Sequence, residues 1–181
     1  AIGLYRELEE ENIIIKDKEV IILGAGGASN AITYICADKG AAKIYLLNRT
    51  FDKAKKLADD VNSHFGDVVV PLAISDYRLI PEGKYPVIQT TSCGLYPHND
   101  DAPIYDKEFY ELVEAGVDII FNPAKTMFMK LCKESGARAY NGLKMLLYQG
   151  IAAFELWNDI KVPKNLADKI LGMMERKLKE S

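Results

Sequence analysis

The stretch Glu19-Val20-Ile21-Ile22-Leu23-Gly24-Ala25-Gly26-Gly27-Ala28-Ser29 constrains the fold more than any other part of the chain. An apolar run of strand length enters a glycine-rich turn, and a helical pattern follows from Ser29 to Lys39. A strand apolar on both faces belongs inside a parallel sheet. Glycines in such a turn let the backbone approach a pyrophosphate, and the helix N-terminus behind them favours its negative charge. A second strand spans Lys43 to Leu47, with Asn48-Arg49-Thr50 at its end. A carboxylate there would select NAD through the ribose 2′-hydroxyl. An uncharged amide beside a guanidinium instead suits a 2′-phosphate, so the pattern predicts NADP. Ser29 replaces the third glycine of the usual fingerprint and is small enough for helix–strand packing.

Helix and strand patterns alternate along the rest of the chain. Leu4, Leu8 and Ile13 mark an amphipathic opening helix. Asp52 to His64 reads as a helix capped by Thr50, with Ala54, Leu57, Ala58 and Val61 inward. Val68 to Val70 is a third strand before Pro71, and Val87 to Gln89 a fourth. The stretch from Thr90 to Pro103 is a long loop of the kind that carries function. A helix over Asp106–Ala115, a strand over Val117–Phe121, a helix over Lys125–Ser135 and a short strand over Ala137–Tyr140 complete the alternation. Two helices close the chain, Leu143–Trp157 and Lys164–Lys179. The expected fold is α/β: a doubly wound, parallel, six-stranded Rossmann-type sheet with flanking helices and two extra C-terminal helices. Ligands of such sheets bind beyond the carboxyl ends of the strands. The glycine turn, Asn48-Arg49-Thr50, the Thr90 loop and Asn122-Pro123 should therefore gather along one edge.

Composition removes other classes. The chain has 181 residues, a formal net charge of −3 and a pI near 5.5, which is no nucleic-acid footprint. No 18-residue apolar run or signal-peptide pattern occurs, and the three separated cysteines, Cys36, Cys93 and Cys132, read as free thiols of a reducing cytosol. A cytoplasmic location is expected. His64 and His98 read as solvated, although His98 in its polar loop is of the residue type used for acid–base work. Asp100-Asp101 lacks a second ligand cluster, which argues against a metal, and Cys93 lacks a neighbouring base. Gln149, between Tyr148 and Gly150 on an apolar helix, reads as a buried amide in need of partners.

Five motifs stand in order: Gly24-Ala25-Gly26-Gly27-Ala28; Asn48-Arg49-Thr50; Thr90-Thr91-Ser92 with Gly94-Leu95; Asn122-Pro123 with Thr126; and Asn141-Gly142-Leu143 with Met145-Leu146 and Gln149, followed by Phe154 and Trp157. Together they resemble the shikimate dehydrogenases and their quinate/shikimate relatives over nearly the whole chain. The resemblance implies an NADP-linked oxidoreductase of aromatic amino-acid biosynthesis, on the chorismate pathway. It would interconvert 3-dehydroshikimate and shikimate by hydride transfer with NADPH.

By that resemblance Gly24 to Ala28 hold the pyrophosphate, and Asn48, Arg49, Thr50 and Lys53 surround the 2′-phosphate. Thr90 joins the cofactor contacts, and Ile119 and Gly142 meet the nicotinamide half through backbone. Gln149 and Phe121 face the substrate. Two positions depart from the pattern: Gln89 stands where the family usually has Asn, and Phe121 where it has a substrate-contacting Tyr. The family also has an N-terminal substrate domain with a catalytic Lys and Asp, and Ala1-Ile2-Gly3-Leu4 resembles the sequence just after that Asp. The expectation is an NADP-binding domain over residues 1–181 with no catalytic residue of its own, inactive by itself. Its helices over 143–181 would pack on the absent substrate domain. Some of Leu146, Leu147, Ile151, Phe154, Leu156, Trp157, Ile170, Leu171, Met173 and Met174 would then form an exposed apolar patch able to drive homodimerisation or a rearrangement of the C-terminal helix. The alternative reading is a stand-alone, non-catalytic nucleotide-binding or regulatory module.

Overall fold

The computed structural model describes residues 1–180, with 179 and 180 as backbone only; Ser181, the end of the range expected above, lies outside the described residues. The strands are β1 (Glu19–Leu23), β2 (Lys43–Asn48), β3 (Val69–Ala73), β4 (Tyr85–Gln89), β5 (Val113–Asp118) and β6 (Arg138–Tyr140). They form one sheet in the order β3-β2-β1-β4-β5-β6, every neighbouring pair parallel. The helices are α1 (Ile2–Glu10), α2 (Gly27–Asp38), α3 (Phe51–Phe65), α4 (Lys107–Glu111), α5 (Met127–Glu134), α6 (Leu143–Asn158) and α7 (Lys164–Glu180), with a 3-10 turn at Ile74–Leu79.

The continuous apolar strands explain the layering. On one face Val20, Ile22, Ile44, Leu46, Ile88 and Val117 pack under α1, α2 and α3, through Leu4, Leu8, Ile32 and Leu57. On the other, Ile21, Leu23, Leu47 and Val87 meet Tyr77, Phe109 and Phe128. A smaller cluster of Leu147, Ile151 and Ala167 joins α6 to α7.

Several boundaries differ from the sequence expectation. Ile13 lies beyond the end of α1, after Asn12 at φ 55°, and its N–H returns to the Leu8 carbonyl at 2.8 Å. β3 runs through Pro71, which an edge strand tolerates because one side of its ladder is unpaired. The helix expected over Asp106–Ala115 is only α4, and β5 begins at Val113. At Gly116 α5 presses on the sheet: a Cβ there would lie 2.7 Å from Cys132 Sγ. β5 also ends at Asp118 rather than Phe121, because the Asp118 carboxylate takes the Ile120 N–H at 3.0 Å and turns the chain out of the sheet. The 3-10 turn had no sequence signal of its own; the buried Tyr77 holds it, its hydroxyl donating to Asp106 and its ring edge-on to Phe109.

Candidate functional site at the carboxyl ends of the strands

Gly24 is the first residue past β1. Its φ of 110° favours glycine, and a Cβ there would lie 2.7 Å from Thr90 Oγ1. Its N–H donates to the Leu47 carbonyl at 2.7 Å, and its own carbonyl accepts the Ser29 hydroxyl at 2.5 Å. Gly26 and Gly27 are the opposite case: a Cβ on either would meet nothing within 4 Å. Gly26 is the N-cap of α2 and supplies no side chain to its first turn, so those amides are free to take an anion. Ala25, Gly26, Gly27, Asn30, Lys53 and Lys56 line a cleft of about 480 Å³ at this point, together with Asp60, whose carboxylate accepts the Tyr34 hydroxyl at 2.8 Å, and Ala28 is exposed. An open backbone cradle, unspent amides and two cations fit a dinucleotide pyrophosphate. Lys56 escaped the sequence reading, although its i,i+3 spacing from Lys53 puts both on one face of α3.

Arg49 is exposed beyond β2 and makes no ion pair among the described residues. Asn48 orders the turn, donating from Nδ2 to the Thr50 carbonyl at 2.8 Å. Thr50 occupies the N-cap position of α3, yet its hydroxyl caps nothing, contrary to expectation; Asn48 fixes the turn instead.

At the centre of the sheet the strand ends are bonded to one another. Thr90 donates to the Leu23 carbonyl from both its N–H (2.9 Å) and its hydroxyl (2.7 Å), so this buried side chain ties β4 to β1. Ile119 N–H reaches Gln89 O at 3.1 Å, and Gly142 N–H reaches Ile120 O at 3.0 Å. Gly142 is pressed so closely that a Cβ would lie 2.1 Å from the Ile119 carbonyl oxygen. Ile119 and Gly142, far apart in sequence, therefore form one backbone wall.

Behind that wall is a group the sequence reading passed over. Asp118 is fully buried; Oδ1 accepts from Ile120 N–H (3.0 Å) and Gln89 Nε2 (3.3 Å), and Oδ2 accepts from the Thr126 hydroxyl (2.6 Å). Burial pushes its carboxyl up to about 6, against the pull of those donors. A carboxylate closing an apolar strand was the available signal.

Two expected substrate residues lie outside this wall. Phe121 is exposed in the loop after β5. Gln149 is exposed rather than buried: it stands on α6 along a cleft shared with Ile2, Arg6 and Ala153, and its side chain bonds to nothing among the described residues. Beside it Gly3 lets α1 close on α6; a Cβ there would lie 2.4 Å from Met145 O and 2.7 Å from Gln149 Cγ. His98 is 73% exposed with Asp101 at 4.0 Å, the solvated reading of that residue. Cys93 is half-buried, and its carbonyl accepts from Gln89 Nε2.

The α1–α6 contact also holds a cluster of charge. Lys144 bonds Glu10 and Glu11, Tyr148 bonds Glu10, and the neighbouring Glu7 is 1% exposed with Oε2 unpartnered among the described residues. Burial pushes the Glu7 carboxyl up to about 8, opposed chiefly by Lys144.

Comparison with known proteins agrees with this geometry. A family model described as shikimate/quinate 5-dehydrogenase matches residues 7–75, and one described as the shikimate 5′-dehydrogenase C-terminal domain matches residues 142–169. A shikimate dehydrogenase (NADP(+)) of Carboxydothermus hydrogenoformans is 36% identical over 173 residues, 96% of this chain and 61% of that protein. The chorismate mutase/shikimate 5-dehydrogenase fusion protein of Clostridium acetobutylicum superposes with a TM-score of 0.83 at 31% identity, over 99% of this chain and 61% of that one. A shikimate dehydrogenase solved in complex with NADP+ gives 0.79 at 34% identity, over 94% and 59%. The chain thus spans about three fifths of the length of the curated relatives it matches. With a parallel sheet in the order β3-β2-β1-β4-β5-β6, a glycine cradle at its switch point and these matches at both ends, the chain belongs to the shikimate/quinate dehydrogenase family.

Proposed function

We propose that this chain is the NADP-binding unit of an enzyme that interconverts 3-dehydroshikimate and shikimate. The observation that carries the reading is the convergence of five strand-end segments on one edge, with open space at Gly26 and Gly27 and cations at Arg49, Lys53 and Lys56 around it. The turn and the first amides of α2 would take the pyrophosphate, and Arg49 with Asn48, Thr50 and Lys53 the 2′-phosphate. Thr90, Ile119 and Gly142 would flank the nicotinamide, which supplies the hydride. Gln149 and Phe121 would reach the substrate. In place of the family tyrosine, Phe121 offers a ring without a hydroxyl.

The acid–base pair of this reaction belongs, by resemblance, to the substrate domain of the longer relatives. The chain alone should therefore bind NADP and turn over no shikimate. Turnover by the purified chain above a boiled control would overturn that. Leu147 and Ile151, expected in an exposed patch, are instead buried between α6 and α7, with Ile170, Leu171 and Met174 packed against them. The exposed Leu146, Phe154, Leu156, Trp157 and Met173 would pack on such a domain and, without one, on a second copy of the chain.

Calorimetric titration tests the cofactor reading. NADP should bind more tightly than NAD, and Arg49→Ala should erase the preference, at about 10-fold or more for a charge-assisted phosphate contact. An unchanged preference in that variant would refute the role of Arg49. Binding of neither cofactor would refute the reading as a whole.

A further inference from the structure

We propose that Asp118 is a positioning residue for the nicotinamide half of the site, a role that rests on the nucleotide reading above. Its two oxygens collect three donors from separate elements: Gln89 at the end of β4, Ile120 past the end of β5, and Thr126 at the N-cap of α5. Each donor transmits the hold further. Gln89 accepts the Thr91 N–H through Oε1 and donates to the Cys93 carbonyl at 3.1 Å, fixing the start of the Thr90 loop. Ile120 accepts the Gly142 N–H at 3.0 Å, so the turn that opens α6 hangs on it. Thr126 accepts the Met129 N–H at 3.3 Å and anchors α5. All three side chains at the hub are buried. A single carboxylate thus sets the spacing of Thr90, Ile119 and Gly142. The glycine cradle and Arg49 lie across β1 and receive no bond from it.

That asymmetry supplies the test. Asp118→Asn preserves volume but leaves one acceptor oxygen for three donors. In the intact chain, amide exchange at Thr91, Ile120 and Gly142 should rise together by about 10-fold or more, while the bonded amides of the glycine turn, Gly24 (to Leu47 O) and Asn30 (to Gly26 O), exchange as in the parent. Affinity for NADPH should fall about 10-fold against that for adenosine 2′,5′-bisphosphate, which lacks the nicotinamide, and the latter should change by less than about twofold. Thr126→Val, which removes one arm, should show the same pattern more weakly, and Thr126→Ser should restore it; these variants decide the matter if Asp118→Asn does not fold. Exchange that rises only beside the substituted residue, or spreads equally to the glycine turn, would overturn the proposal, as would equal weakening of both nucleotides. If the parent binds neither nucleotide, the nucleotide reading and the role built on it both fail, whatever the exchange pattern.

Discussion

Glu7→Gln should make the protein more stable at pH 8 and change it far less at pH 5. Glu7 is 1% exposed, with one carboxyl oxygen unpartnered among the described residues. An ordinary glutamate ionises near 4.5, whereas burial holds this one at about 8. Between those values the folded chain keeps a proton that the unfolded chain has lost. Stability then falls as pH rises, by up to about 1.4 kcal/mol per unit, and is fully present only below the unfolded value. The displacement from 4.5 to about 8 sets a ceiling near 5 kcal/mol. At pH 5, half a unit above the unfolded value, only about 1 kcal/mol of that has been lost, and at pH 8 about 4 kcal/mol. Glutamine fills the same volume and carries no charge. Urea unfolding at pH 5, 6, 7 and 8 should show the variant and parent within about 1 kcal/mol at pH 5 and apart by about 4 kcal/mol at pH 8. Asp118, raised to about 6, imposes its own decline on both proteins and cancels in the difference. Circular dichroism is the better probe, since Trp157 is 81% exposed and senses unfolding poorly. A difference that stays constant with pH would refute the reasoning, for it would mean that Glu7 ionises alike in both states.

The glycines supply paired expectations. Gly142→Ala drives a methyl to within 2.1 Å of the Ile119 carbonyl oxygen, so thermal unfolding should show a loss of about 2–3 kcal/mol. Gly27→Ala meets nothing within 4 Å and should leave stability unchanged or up by about 0.5 kcal/mol. Its methyl stands where the pyrophosphate would approach, so calorimetry should show NADP affinity down about 10-fold. Leu156 and Trp157, each at least 80% exposed, should drive association of the isolated chain; light scattering at high concentration should show a dimer that Leu156→Lys with Trp157→Lys dissolves.

The glycine cradle and the strand end beside it were legible because their requirements are local. A buried apolar strand, two glycines facing open space, a helix start and an arginine past the next strand fall within about thirty residues of sequence, and each leaves a compositional mark. The limits of β5 were not legible, since glycine in a strand and glycine after a helix look alike until Cys132 Sγ is seen against Gly116. Gln149 was misread for a related reason. An amide among apolar neighbours suggests burial, but α6 buries only Leu143, Leu147, Ile151 and Glu155, and Gln149 falls on another face of the helix. The side of α6 that α1 covers is settled by the absent side chain at Gly3, more than a hundred residues away.

The glycines show why the wall of Ile119 and Gly142 resisted the same reading. Gly26 and Gly27 leave room for something other than protein, so a motif can announce them. Gly24, Gly142 and Gly3 leave room for other parts of the chain: Thr90, Ile119 and Met145. These three glycines let β1, β4, β5, α1 and α6 approach at backbone distance, where no substituted residue would fit without displacement. The site is built by close approach on one side and by vacancy on the other. Removing a contact glycine should therefore cost stability first and binding second, while removing a vacancy glycine should cost binding alone. That ordering would separate residues that form the protein from residues that would hold a ligand, and a Rossmann fingerprint read as sequence contains both kinds without distinguishing them.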